Sequence, residues 1–228
     1  MKKDSEVFAV DAIKKMIISG KFEEDERLTE TSLSQLIGLS RTPVRVALKT
    51  LEASGLLTKL DGRGYKARQI TSADRSDAVT IIGLLEAQAA AKISMNGMSR
   101  VVRQRLETSI QATEKIITLN VIDKSSLETY DFANLVFHKT IVQASENRFI
   151  IEFVSRLNAL PGETINSLPP SKELLSHLIV SHTQHVLLKD AIESGDSGKS
   201  FALMQEHANF ENEYMTGAGS LVGSGGGT

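Results

Sequence analysis

The chain has 228 residues, 41% of them hydrophobic and 24% charged, with a formal net charge of −2 and no cysteine. These values fit a globular protein of one or two domains. The missing thiols exclude disulfide scaffolds, thiolate metal sites and cysteine nucleophiles. The N-terminus lacks the apolar core of a signal peptide, and no apolar run reads as long enough to span a membrane, so a cytoplasmic location is expected.

The charge is unevenly spread. Residues 1–70 hold 13 Lys+Arg against 10 Asp+Glu, whereas residues 71–228 hold 13 against 18. Within 41–68 there are seven basic and two acidic residues, and such a patch suits a polyanion, although charge alone is equally compatible with a solvated surface.

In chain order, Val7, Val10, Ile13 and Ile17 recur at helical spacing and predict a first helix over Val7–Ile18, stopped by Gly20. Thr29 is an N-cap for a second helix with Leu33, Leu36 and Ile37 on one face, ended by Gly38. Ser40 caps a third helix over Arg41–Ser54, with Pro43 in its first turn, a buried stripe of Val44, Ala47, Leu48 and Leu51, and Gly55 at its close. Two extended pieces follow, Leu56–Leu60 and Tyr65–Arg68, joined by Asp61-Gly62-Arg63-Gly64, a hairpin turn. Three helices and a hairpin in this order describe a winged helix-turn-helix.

From Ser72 only helical periodicity remains. Six helices are expected, over roughly 73–95, 99–119, 124–145, 148–159, 171–194 and 198–215, punctuated by Asn96-Gly97, Pro161-Gly162 and Pro169-Pro170. The fold is therefore mainly α: a winged helix-turn-helix over 1–70, an all-helical effector-binding and dimerisation bundle over 71–216, and a Gly-rich tail over 217–228 expected to be disordered.

Function concentrates in Ser40-Arg41-Thr42-Pro43-Val44-Arg45. Arg41 and Arg45 are one helical turn apart at the start of the third helix, the part that a helix-turn-helix places in the major groove. Arginine's fork matches guanine O6 and N7. Thr31, Ser32, Ser40 and Thr42 can donate to phosphates with the helix N-terminus, Lys49, one turn beyond Arg45, is an expected phosphate contact, and Arg63 with Gly64 forms the wing tip. An isolated Arg-x3-Arg pair reads as an ordinary solvated helix face; the capped helix before it and the Gly-Arg-Gly hairpin after it favour DNA reading.

The stretch from Leu28 to Ala67, LTETSLSQLIGLSRTPVRVALKTLEASGLLTKLDGRGYKA, resembles the GntR family of bacterial transcription regulators, departing at Val46, where the family usually has Glu. The resemblance implies a homodimer on a palindromic double-stranded DNA operator, with contacts from Arg27, Arg41, Arg45 and Gly64, and most often repression released by a small metabolite. The second half resembles the FadR-type C-terminal domain, with a helix count nearer the VanR subgroup, through Leu85-Glu86, Phe137-His138, Glu146-Asn147 and a His185 set eleven residues before Asp196.

Many such domains hold a divalent ion through an Asp, a His four residues later, and two further His. The resemblance assigns these positions to Asn134, His138, His185 and His207, with Asn134 replacing the usual Asp; three imidazoles with open positions suit Zn²⁺, Ni²⁺ or a similar ion. Asp131 is an alternative to Asn134, His182 competes with His185, and His177 is expected at the surface. The plain alternative is that these histidines merely flank a core. Glu86 and the three histidines are the expected effector contacts. The family's effector-pairing Arg is replaced by Ile82, which weakens the expectation of an organic acid. Two rivals remain: a metal-dependent hydrolase with Glu86 as base, which lacks an HExxH motif, and a ligand-free nucleoid protein. No enzyme activity is expected.

Overall fold

The computed structural model describes residues 2–223 except Glu24, Arg63, Gln69, Ile70, Asn120, Val121 and 161–163. Its contacts divide the chain into two compact units. The first takes in residues 1–71 and the short segment 159–162, and the second takes in 72–158 and 163–228.

The first unit holds α1 (Lys2–Ile18), α2 (Glu30–Ile37), α3 (Arg41–Ala53), β1 (Leu57–Lys59) and β2 (Tyr65–Ala67). The strands pair antiparallel, with Leu57 opposite Ala67 and Lys59 opposite Tyr65. Leu28 adds a bridge to Tyr65 through two backbone bonds of 2.7 and 2.8 Å, so the wing is anchored to the segment that enters α2.

The starts and stops are local. Thr29 and Ser32 close a reciprocal capping box at the start of α2, and Gly38 ends it in the left-handed region at φ 67°. Ser40 occupies the cap position of α3 without a capping side-chain bond. Ile13, Leu28, Leu33, Val44, Leu48, Leu51 and Leu56 are fully enclosed, and burying each such side chain contributes about 1.5–3 kcal/mol. Two expected core positions are corrected. Val7 is 56% and Leu36 46% exposed, because Ala9 and Leu33 are the residues on the inward faces of those helices.

The second unit is helical: α4 (Ser72–Asn96), α5 (Arg100–Thr118), α6 (Lys124–Ala144), α7 (Arg148–Leu157), a single 3-10 turn (Ile165–Ser167), α8 (Lys172–Glu193) and α9 (Ser197–Gly223). Ser99, Asp123, Asn147 and Ser171 cap α5, α6, α7 and α8 with side-chain oxygens. The helix α9 extends beyond the expected stop near 215, while the tail assigned to 217–228 lies outside the described residues from 224 onward.

Leu106, Phe137, Ile141, Leu188 and Met204 form the main core. A smaller one gathers Leu127, Tyr130, Leu174 and Leu178. The helices α4 and α9 touch closely: a Cβ at Gly83 would overlap that of Ala208, and the Ser94 and Ser200 hydroxyls meet at 2.7 Å. The expectation that no apolar run is long enough for a membrane is corrected at Ala73–Asn96, which has the length and a mean hydropathy of 1.3. Its apolar side chains include Ala87, Ala90 and Ile93 of the main core.

Candidate nucleic-acid interface and histidine centre

On the first unit, the first two turns of α3 present Arg41, Thr42 and Arg45 to solvent, with Lys49 one turn further on, because Pro43, Val44, Ala47 and Leu48 take the inward face. Thr31 and Ser40 are also exposed, and Val46, at 37%, lies beside Arg45. Arg45 is not a loose side chain. Its Nε and Nη2 donate to the two oxygens of Glu30 at 2.7 and 2.9 Å, a bidentate fork across the turn between α2 and α3. The hydrogen bond from Arg45 holds the Glu30 carboxyl below its ordinary range, and the charges of Arg41 and Lys49 add to this.

Arg27 lies against the wing. Its Nη2 would stand 3.6 Å from a Cβ at Gly62, and its Cγ and Nε 3.2 Å from one at Gly64. Gly64 has φ 111°, and a Cβ there would also come within 3.0 Å of the Leu28 carbonyl. Its glycine character is therefore required by the fold, independently of any DNA contact. Arg63 lies outside the described residues.

In the second unit, His138 of α6, His185 of α8 and His207 of α9 converge. His207 Nε2 is 3.1 Å from His185 Nε2 and 3.2 Å from His138 Nε2, and the three offer nitrogens all within 4.8 Å of one another. Phe137 stacks on His185 at 4.0 Å, fixing that ring against the core. The opposite nitrogens have partners: His138 Nδ1 meets Glu86 Oε2 of α4 at 2.7 Å, and His207 Nδ1 meets Gln184 Oε1 at 2.9 Å. A carboxylate and an amide oxygen can only accept, so each Nδ1 donates, and in the neutral rings both Nε2 lone pairs face the centre.

Burial would pull His138 down, but the Glu86 carboxylate outweighs it and holds the imidazole above its ordinary pKa. Burial, then the neighbouring His207 and His138, drives His185 well below it. Burial, assisted by His138, brings His207 down to about 3. The cluster thus accepts one proton readily and resists further ones.

The same geometry suits a divalent cation. With metal–nitrogen bonds of about 2.0–2.1 Å, adjacent ligand nitrogens lie about 3.0 Å apart at right angles and about 3.4 Å apart at the tetrahedral angle; the observed 3.1 and 3.2 Å fall between. Asn134 stands one turn before His138 on α6, and its Oδ1 is buried without a hydrogen bond, as expected of an oxygen that awaits a ligand.

Several sequence expectations change. Asp131 is withdrawn as a ligand: its Oδ2 accepts from the Asn166 amide at 3.1 Å. His182 does not compete with His185, since its Nδ1 pairs with Thr113 Oγ1 at 2.8 Å. His177 is buried at 5% exposure, stacked on Phe210 and Tyr214, with Nε2 3.1 Å from Glu211 Oε2. Glu86 is committed to orienting His138, which removes it as the general base of a hydrolase. Gln184 and Glu211 were not anticipated. The one legible signal was their spacing, Gln184 beside His185 and Glu211 one turn after His207.

Comparison with known proteins bears on both units. Residues 6–66 match the description "Bacterial regulatory proteins, gntR family" and residues 77–210 match "FCD domain". The HTH-type transcriptional regulator YdhC of Bacillus subtilis is 32% identical over 148 residues, covering 65% of this chain and 64% of YdhC. The HTH-type transcriptional repressor GlaR of Escherichia coli is 25% identical over 202 residues, 86% of this chain and 88% of GlaR. Among solved structures, McbR/YncC of E. coli superposes with a TM-score of 0.66 over 93% of this chain and 97% of its own, at 17% identity, a likeness of fold. The first of these families is one of bacterial regulatory proteins, and both relatives are named as transcriptional regulators.

Proposed function

The chain belongs to the GntR family of bacterial transcription regulators and carries the FCD domain over most of its helical unit; from this premise we propose that it is a cytoplasmic homodimeric repressor whose hold on a palindromic operator is relaxed by a small effector. The observation that carries the reading is the pair of guanidinium groups, Arg41 and Arg45, exposed on the first two turns of α3 above a buried aliphatic face. Relatives named as repressors, GlaR and NanR, support the direction of control. Pairing with a second copy is supported by α4, where the apolar side chains of Ile81, Leu84 and Met95 are exposed at 48%, 45% and 75%.

In this reading Arg41 and Arg45 interrogate base edges, with Glu30 holding the Arg45 fork in a fixed orientation. Thr31, Ser40, Thr42, Lys49, Arg27 and the wing residues Arg63 and Gly64 set the register on the backbone. In the helical unit, His138, His185 and His207, with Asn134 Oδ1, would hold Zn²⁺ or Ni²⁺. A bound ion would supply a Lewis-acidic anchor for an oxygen of the effector. Glu86 and Gln184 keep the imidazoles aimed at that point. An effector with unequal affinity for the DNA-competent and DNA-incompetent arrangements shifts operator binding by that difference.

The test is selection from genomic DNA. At physiological ionic strength the protein should retain a small set of fragments sharing a two-fold symmetric site, and Arg45→Ala should blur the base preference at one position per half-site. Equal retention of all fragments by the wild type would refute sequence-specific regulation.

A further inference from the structure

Beyond the histidine centre, the interior of the second unit continues as a polar stripe. On α6, Tyr130, Asn134 and His138 follow at four-residue steps. On α8, His177, Ser181 and His185 do the same, and on α9, His207 and Glu211. Four residues advance a helix by about 6 Å, so the three helices carry polar side chains for one to two turns away from the histidine nitrogens. The pairing of His185 with His207 and of His177 with Glu211 shows α8 and α9 keeping these stripes face to face.

Five atoms of this stripe are buried without a hydrogen bond: Tyr130 Oη, Asn134 Oδ1, His177 Nδ1, Ser181 Oγ and Glu211 Oε1. Tyr130 and Ser181 are each only 1% exposed and His177 5%. Ser181 lies beside both Tyr130 and Glu211 and interacts with each, but too loosely to give either a well-formed hydrogen bond. Native interiors leave few such groups unpaired, and a cluster of five calls for an occupant.

The chemistry of the cluster is that of an acceptor. Although burial would raise the Glu211 pKa, the hydrogen bond from His177 holds it below the ordinary carboxylate range. Nε2 of His177 donates to Glu211 Oε2, which leaves Glu211 Oε1 open as an acceptor. Among the five unpaired atoms, the Tyr130 and Ser181 hydroxyls can donate, while Glu211 Oε1 and Asn134 Oδ1 can only accept. Among the described residues of this unit, no lysine or arginine is buried. A ligand carboxylate would therefore meet a carboxylate and lone pairs, whereas an ammonium would meet a counter-charge and a ring of acceptors.

We propose that Glu211, Ser181 and Tyr130 form a subsite for a primary ammonium group, so that the effector of this protein is an amine-bearing small molecule whose other end reaches toward the histidine centre. The proposal rests on reading the helical unit as effector-binding. The six-ångström step between His207 and Glu211 matches a short chain, so the probes are four-carbon compounds that differ only at their ends: γ-aminobutyrate, putrescine, succinate and butanediol.

Titration calorimetry and thermal shift on the full-length protein should show binding of γ-aminobutyrate or putrescine, and weaker or no binding of succinate and butanediol. Glu211→Gln should weaken the amine by about tenfold or more. Should that variant not fold, Ser181→Ala must weaken the same probe. Equal binding of succinate or butanediol, amine affinity unchanged in Glu211→Gln, or no amine bound at all would each overturn the assignment and leave these groups to ordered water. Retention of genomic fragments is measured on the same samples. Intact operator selection with a failed amine arm refutes only the ammonium subsite, whereas loss of selection by the wild type refutes the regulator reading itself.

Discussion

Acidifying the metal-free protein should weaken its helical unit steeply between neutrality and pH 5. In the unfolded chain each histidine titrates near 6.5, whereas in the fold His207 lies at about 3 and His185 well below its ordinary value. Between those limits the unfolded state binds two protons that the folded state refuses. Stability is therefore fully present above pH 6.5 and is lost as the pH falls toward the folded values. Two protons correspond to about 2.7 kcal/mol per pH unit at the steepest part, and the full drop for His207 alone corresponds to about 4–5 kcal/mol, comparable with the total stability of a typical domain. His138 has the opposite sign. Its raised pKa gives a contribution present below 6.5 and lost as pH rises through the folded value, so it does not cancel the loss in acid. The assay is urea unfolding of chelator-treated protein at a series of pH values, read from amide exchange in α8 and α9. His207→Gln should remove about half of the slope. A stability that stays flat from pH 7 to 5, or an unchanged slope in that variant, would refute the argument.

Gly83→Ala, which drives a methyl group into Ala208, should cost about 1–3 kcal/mol and lower the melting temperature of the helical unit; an unchanged melting temperature would mean that α4 and α9 can separate freely. Asn134→Asp should raise affinity for Zn²⁺ or Ni²⁺ by about tenfold or more, measured by competition with a chelator, and equal affinity would place Asn134 outside the coordination sphere. Glu30→Gln releases the Arg45 fork and removes a negative charge from the DNA face, so binding to random DNA should strengthen while operator discrimination falls by up to about tenfold. An unchanged ratio of operator to random binding would mean that Glu30 does not orient Arg45.

The corrections to His177, Asp131 and His182 have a common origin. His177 looked like a surface residue because nothing in its neighbours announces burial; it is enclosed because Phe210 and Tyr214, more than thirty residues later, stack on both sides of its ring. Asp131 and His182 looked like plausible ligands because they sit within a turn of the right positions. A shift of three residues turns a helical side chain by about 60°, enough to aim Asp131 at the Asn166 amide and His182 at Thr113 instead of the centre. Likewise, Glu30 and Arg45 each read as exposed helix residues, and only the turn between α2 and α3 brings them into a fork.

By itself the sequence determined the order of the elements and the residues that delimit them, because helical period, the Thr29 capping box, the left-handed Gly38 and the glycine-bounded hairpin are all settled within a few residues of chain. It also determined which arginines stand on the outer face of α3, since that face is defined by the aliphatic stripe opposite it. Only the tertiary structure decided how closely His138, His185 and His207 approach one another, what Glu86 and Gln184 do for them, and which buried oxygens are left without partners. Those are properties of three helices packed together, where a rotation of one side chain by part of a turn changes its partner while leaving the sequence pattern untouched.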